Sequence, residues 1–222
     1  MSTVLAPRQN ESTEMKALKR PSTDLRVGDV YFSADIETDG PIPGSYSMLS
    51  FALVYAGSFD GTRFKQPENF NNNFYRELRP ISKNFQTEAL QVNGLDRDRL
   101  SREGETPERA MCEAYDWITG IAGAAKPVLV AYPLSFDWAW LYWYFVQFSS
   151  KGSPFNHSLC FDMKTAYAVK ASVPISEAGR SKILPQLLPD RRHTHHALDD
   201  AIEQAQIFGN LFEWGGIHGR NP

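Results

Sequence analysis

Hydrophobic and polar positions change period several times along the chain, and each change marks a predicted element. Between Val30 and Glu37, apolar Val30, Phe32, Ala34 and Ile36 alternate with Tyr31, Ser33, Asp35 and Glu37. A period of two predicts a strand with one face on a core. Turn residues follow, from Thr38-Asp39-Gly40 to Pro43-Gly44, and then the β-rich run 47–56. After a second turn at 57–61, a strand over 73–78 completes a predicted three-stranded antiparallel meander. The pattern then becomes helical. A short helix is expected over 87–92, ended by Asn93-Gly94, and a longer one over 107–121 with Thr106 as its cap and Pro107 in first position. The wholly apolar run 127–131 predicts a buried parallel strand, with a helix over 134–148 directly after it. Another helix is expected over 162–169. A Pro- and Gly-punctuated stretch at 171–192 precedes a last helix, from near His196 to about Trp214. A meander followed by alternating strand and helix predicts one α/β domain with a mixed sheet over 28–222. Residues 1–27, rich in Ser, Thr, Glu, Lys, Arg and Pro, are expected to form a flexible tail.

Composition narrows the class. The 222 residues suffice for a sizeable core, and 42% hydrophobic with 22% charged residues is the balance of a soluble globular protein. The longest apolar run, 138–146, is about half of what a membrane span requires. The chain's start has no apolar segment of the kind that targets secretion. Cys112 and Cys160 lack metal-type spacing and read as reduced thiols of a cytoplasmic protein. A net charge of −3 argues against a wide duplex-coating surface, but not against a small site that grips a strand end through metals.

Three places set acid against the core. Asp35 and Glu37 share one face of the first strand, about 6.5–7 Å apart at the backbone, where mutual repulsion raises their pKa values. Taken alone the pair reads more readily as a solvated strand edge than as a site. Oxygen ligands of this type suit Mg²⁺ or Mn²⁺. On the helix over 134–148, Asp137 falls within the apolar stripe Leu134, Trp138, Leu141, Phe145 and Phe148. A bare carboxylate there costs several kcal/mol unless it is capped, paired or metal-linked. Just past a buried strand, it also lies where α/β sheets place ligands. On the last helix, Asp200 borders the apolar face of Ala197, Ala201, Ala205, Phe208 and Phe212, whereas Asp199 points away. His193, His195 and His196 cluster at that helix's entrance. They have no partners at zinc spacing, but a histidine beside carboxylates is a candidate general base.

In order and spacing, Asp35-Ile36-Glu37, then Phe136-Asp137, then His195-His196-Ala197-Leu198-Asp199-Asp200-Ala201 resemble the three motifs of the DEDDh family of 3′-to-5′ exonucleases, which includes polymerase proofreading subunits and ribonuclease T. The third, His-x-Ala-x-x-Asp-Ala, is the most specific. The resemblance spans roughly residues 28–214. One departure is Pro133, where family members often carry Asn four residues before the middle-helix Asp.

The resemblance implies a ribonuclease H-like fold and hydrolysis of phosphodiester bonds from 3′ ends with two Mg²⁺ or Mn²⁺ ions, releasing nucleoside 5′-monophosphates. By analogy Asp35 bridges the ions, Glu37 and Asp200 complete the first, Asp137 helps hold the second, and His195 takes a proton from the attacking water. Thr38, Asp39 and Gly40 occupy the position that meets the terminal sugar. Single-stranded nucleic acid or the 3′ ends of duplexes are the implied partners, and family members are often homodimers. Lys164, Lys170, Arg180, Lys182, Arg191 and Arg192 flank the last motif, either guiding phosphates or balancing charge in a solvated loop. Two other readings share the fold: a module that binds nucleic acid or protein without cutting, and a hydrolase of free or cyclic nucleotides. The first is disfavoured because all five chemical positions are present.

Overall fold

The computed structural model describes residues 28–190 and 194–217. The expected tail, together with Arg191, Arg192 and His193, lies outside the described residues. Strand β1 (Asp29–Thr38) is central in a mixed sheet, antiparallel to β2 (Met48–Phe59) and parallel to β5 (Lys126–Ala131). Beyond β5 lies the parallel β6 (Cys160–Asp162), a three-residue strand too short to leave a period in the sequence. The two-residue β3 (Phe64–Lys65), not expected from the sequence, pairs with Ser58 and Phe59, and the expected third strand of the meander is β4 (Asn73–Glu77), antiparallel to residues 50–54 of the same β2.

Helix α1 (Thr87–Asn93) ends, as expected, on Gly94 in the left-handed conformation (φ 68°). Helix α2 (Arg97–Glu103) was not anticipated from the sequence. It is one short charged turn after another with only Leu100 buried, so it has almost no apolar period to read. Helix α3 (Pro107–Ala122) starts at Pro107 as expected, but Thr106 makes no side-chain capping bond. Helix α4 (Leu134–Phe148) keeps its expected bounds. Asp162 is the N-cap of α5 (Met163–Ala171) rather than its first residue, accepting from Thr165 N at 3.1 Å. The stretch after α5 coils into three short 3₁₀ turns, and α6 (Ala197–Glu213) closes the fold.

The two faces of β1 divide the core. Val30, Phe32, Ala34 and Ile36 pack with α3 and α4. Tyr31 packs with Val128, Val130 and the inner face of α6. A solvated strand edge for Asp35 and Glu37 is thereby excluded: they sit on a central strand, on the face that α6 covers. Ala197, Ala201 and Ala205, all buried, form that helix's contact stripe. Small side chains let the helix backbone approach the sheet closely enough for short acidic side chains on strand and helix to meet.

Candidate active site

Five side chains from four segments converge at the carboxyl end of β1. Asp35 and Glu37 point to the α6 side, with a register shift in the β1–β2 ladder directly after Glu37. Such irregularities bend a strand end and re-aim its side chains. Asp137 enters from the first turn of α4, buried in line with Trp140, Leu141 and Tyr144, and takes a backbone hydrogen bond from Ile36. Asp200 is 1% exposed, so it stands inside the buried face of α6 and not on its border. Burial extends well round the helix from the alanine stripe, since Gln204 at its border and Glu203, nearly opposite it, are both buried.

Asp200 also organises the loop in front of its helix: Thr194 N–H donates to its Oδ1 at 3.0 Å. The next residue, His195, has a left-handed backbone (φ 56°), and one ring nitrogen lies with a carboxylate oxygen each of Glu37 and Asp200 inside a 4.8 Å cluster. His196 faces elsewhere, its ring against Tyr75 (centroids 5.0 Å apart) and its Nδ1 3.9 Å from Asp199. The structure thus separates two adjacent histidines that spacing alone could only rank.

The electrostatics follow from crowding. Burial, then the charges of Asp137, Glu37 and Asp200, raise Asp35 well above the usual carboxylate range, while a hydrogen bond from Gln204 partly offsets this. Burial, then Asp200 and Asp137, push Glu37 up to about 8. Burial raises Asp137 to about 8 against the lowering effect of its backbone hydrogen bonds. Oxygen donors crowded at such cost are matched to hard divalent cations, whose charge offsets the repulsion. The residues therefore fit such ions.

A cleft of about 270 Å³ opens beside the cluster, lined by Asp35, Asp137, Tyr132, Pro133, Phe136, Arg180 and Gln204 among others. Pro133 therefore presents an apolar wall at the position where the family often has Asn. The residues after the first motif are placed differently from one another. Thr38 Oγ1 donates to Gly40 O at 2.9 Å. Asp39 is fully buried, its carboxylate taking Ser47 N–H at 2.6 Å and pairing with Arg97 at 2.9 Å. Gly40 lies against Tyr46, whose ring a Cβ would approach to 2.1 Å. Lys170 does not face the cleft. Its Nζ caps the end of α6, donating to Leu211 O at 2.7 Å and Trp214 O at 2.6 Å.

No protein-family model matches the chain. It is 32% identical over 181 residues to the 3'-5' DNA exonuclease Cap18 of Escherichia coli, covering 81% of this chain and 90% of that one. Among solved structures, the nuclease domain of 3'hExo, a DEDDh family member bound to rAMP, shares the fold with a TM-score of 0.61 at 15% identity, over 86% of this chain and 94% of that one. The E. coli ExoI–ssDNA complex gives 0.54 at 15% identity, over 85% of this chain but 40% of that one. This chain belongs to the DEDDh family of 3′-to-5′ exonucleases and is a hydrolytic enzyme with their ribonuclease H-like fold.

Proposed function

We propose that the chain removes nucleotides from the 3′ end of single-stranded DNA, using two Mg²⁺ or Mn²⁺ ions held by Asp35, Glu37, Asp137 and Asp200. The observation that carries this reading is the convergence of those four carboxylates, with His195 against Glu37 and Asp200 and with a cleft lined by Asp35 and Asp137 beside them. The name of the E. coli relative supports DNA as substrate. Bound divalent ions would supply Lewis-acid neutralisation of the phosphate and a more acidic attacking water. The protein's own side chains do the rest. His195, exposed at the cluster's edge, takes the proton of that water. Thr38, Asp39 and Gly40 shape the floor for the terminal sugar, and Asp39 contributes by fixing the backbone, because its carboxylate is committed to Arg97 and Ser47. The free thiols Cys112 and Cys160 fit a reducing, cytoplasmic setting.

The test offers single- and double-stranded DNA and RNA, each labelled at the 5′ end, with Mg²⁺, and identifies products by mass. Nucleoside 5′-monophosphates released fastest from single-stranded DNA are expected. Release of 3′-monophosphates, or equal activity in excess chelator, contradicts the proposal.

A further inference from the structure

Glu203 is a buried charge that no exonuclease motif explains. It is 1% exposed on α6, one turn beyond Asp200, and forms an ion pair with Arg180 from the 3₁₀ turn Arg180–Lys182. Burying a carboxylate costs several kcal/mol, so an ion pair of this kind is a poor way simply to pin a loop. The loop is in any case pinned on both sides without it. Tyr132 donates its hydroxyl hydrogen to Ala178 O at 2.6 Å, and Tyr167 bonds both Lys182 O (3.0 Å) and Leu184 N (3.2 Å). Ala178 and Ile183 are buried on either side of the turn. The result is a guanidinium held in one place, on the wall of the cleft that also exposes Asp35 and Asp137. The Arg180 side chain remains 31% exposed, although its Nε is buried, without a hydrogen-bond partner among the described residues.

We infer that Arg180, oriented by Glu203, grips the scissile phosphate of the strand and stabilises the charge that builds there during cleavage. This rests on the exonuclease reading above. A guanidinium tied to a carboxylate at one nitrogen, here Nη2, keeps its remaining exposed donors in a fixed orientation that suits a phosphate oxygen. Preorganised donors aimed at developing charge typically contribute 10²–10³-fold in turnover. In this arrangement Arg180 touches substrate and Glu203 is a positioning residue.

The experiment compares wild type, Arg180→Ala, Arg180→Lys and Glu203→Gln in single-turnover cleavage of a 5′-labelled DNA strand at saturating enzyme with Mg²⁺. Thermal melting checks folding. Binding is followed by anisotropy for the natural strand and for one whose last linkage is an uncharged methylphosphonate. Arg180→Ala should lose about 10²–10³-fold in saturating rate while its melting temperature stays near that of wild type. Arg180→Lys should recover only part of the rate, because an ammonium does not hold its donors in a fixed orientation. Glu203→Gln should fall between Arg180→Ala and wild type; should it fail to fold, the two Arg180 variants decide. The methylphosphonate strand should bind wild type and Arg180→Ala alike, whereas the natural strand binds Arg180→Ala more weakly. Near-normal cleavage by folded Arg180→Ala, or equal weakening of both strands, overturns this inference and leaves the exonuclease reading standing. A wild-type protein that cleaves no strand overturns both.

Discussion

Gln204 Nε2 donates to Asp35 Oδ1 at 2.7 Å, tying the helix that carries Asp200 to the strand that carries Asp35 and Glu37. The bond fixes the orientation of the most crowded carboxylate and lowers its proton affinity. Loss of such supporting bonds behind metal ligands typically costs 10–100-fold in metal affinity or activity. Gln204→Ala should therefore need roughly that much more Mg²⁺ for half-maximal cleavage, a shift read directly from a metal titration. An unchanged titration contradicts a supporting role for this bond.

The two described histidines at the entrance of α6 make a sharper contrast. His195 shares a 4.8 Å cluster with Glu37 and Asp200, whereas His196 rests on Tyr75. General-base catalysis typically contributes 10²–10⁴-fold. His195→Ala should lose about that much in single-turnover rate and still bind DNA, while His196→Ala changes the rate by less than about tenfold. A dead His196→Ala beside a near-normal His195→Ala would move the base by one position.

Much of this candidate site is legible in the sequence alone. Asp35 and Glu37 are visible through strand alternation, Asp137 as an acid in an apolar helical stripe, Asp200 at the border of an apolar helical face, and His195 through its spacing from Asp200. These signals survive because a buried charge breaks a period, and the break can be seen in one segment. Glu203 and Gln204 left no such signal. On a helical wheel Gln204 borders the alanine stripe and Glu203 points almost directly away from it, both like ordinary solvated residues, and only the tertiary packing around α6 buries them. Arg180 was visible as a basic residue, but nothing local singles it out from Lys170, which caps α6, or Lys182, which pairs with Glu177. Strand β6 and helix α2 escaped for a different reason: each is too short or too polar to establish a period.

Metal and proton should compete at the cluster. Glu37 and Asp137 sit at about 8 in the folded chain, against ordinary values of about 4 in the unfolded one. Between those limits the folded, metal-free protein holds more protons than the unfolded chain, so these groups make its stability fall as pH rises. Divalent ions bind the ionised carboxylates, so the rise in melting temperature on adding Mg²⁺ should grow with pH across the same window. Paired melts in chelator and in Mg²⁺ at pH values from about 5 to about 9 measure it. A Mg²⁺ effect that shrinks as pH rises contradicts the assignment of these carboxylates to the metal.

Asp39 should act on stability more than on chemistry. Its side chain is fully buried and pairs with Arg97, itself 15% exposed, at 2.9 Å. Removing one member of a buried pair typically costs about 3–5 kcal/mol. Asp39→Ala should lower unfolding free energy by about that amount in urea titration. An unchanged midpoint with lost activity would instead make Asp39 a direct substrate contact.

The most direct test of the whole account follows one DNA sequence in two forms, linear with a 5′ label and closed into a single-stranded circle, with wild type and Asp200→Asn in Mg²⁺. Wild type should convert the linear strand into a descending ladder and leave the circle intact, and folded Asp200→Asn should cut neither form. Cutting of the circle at a rate matching the linear strand, or a ladder made equally well by Asp200→Asn, would contradict a 3′-end hydrolase built on these carboxylates.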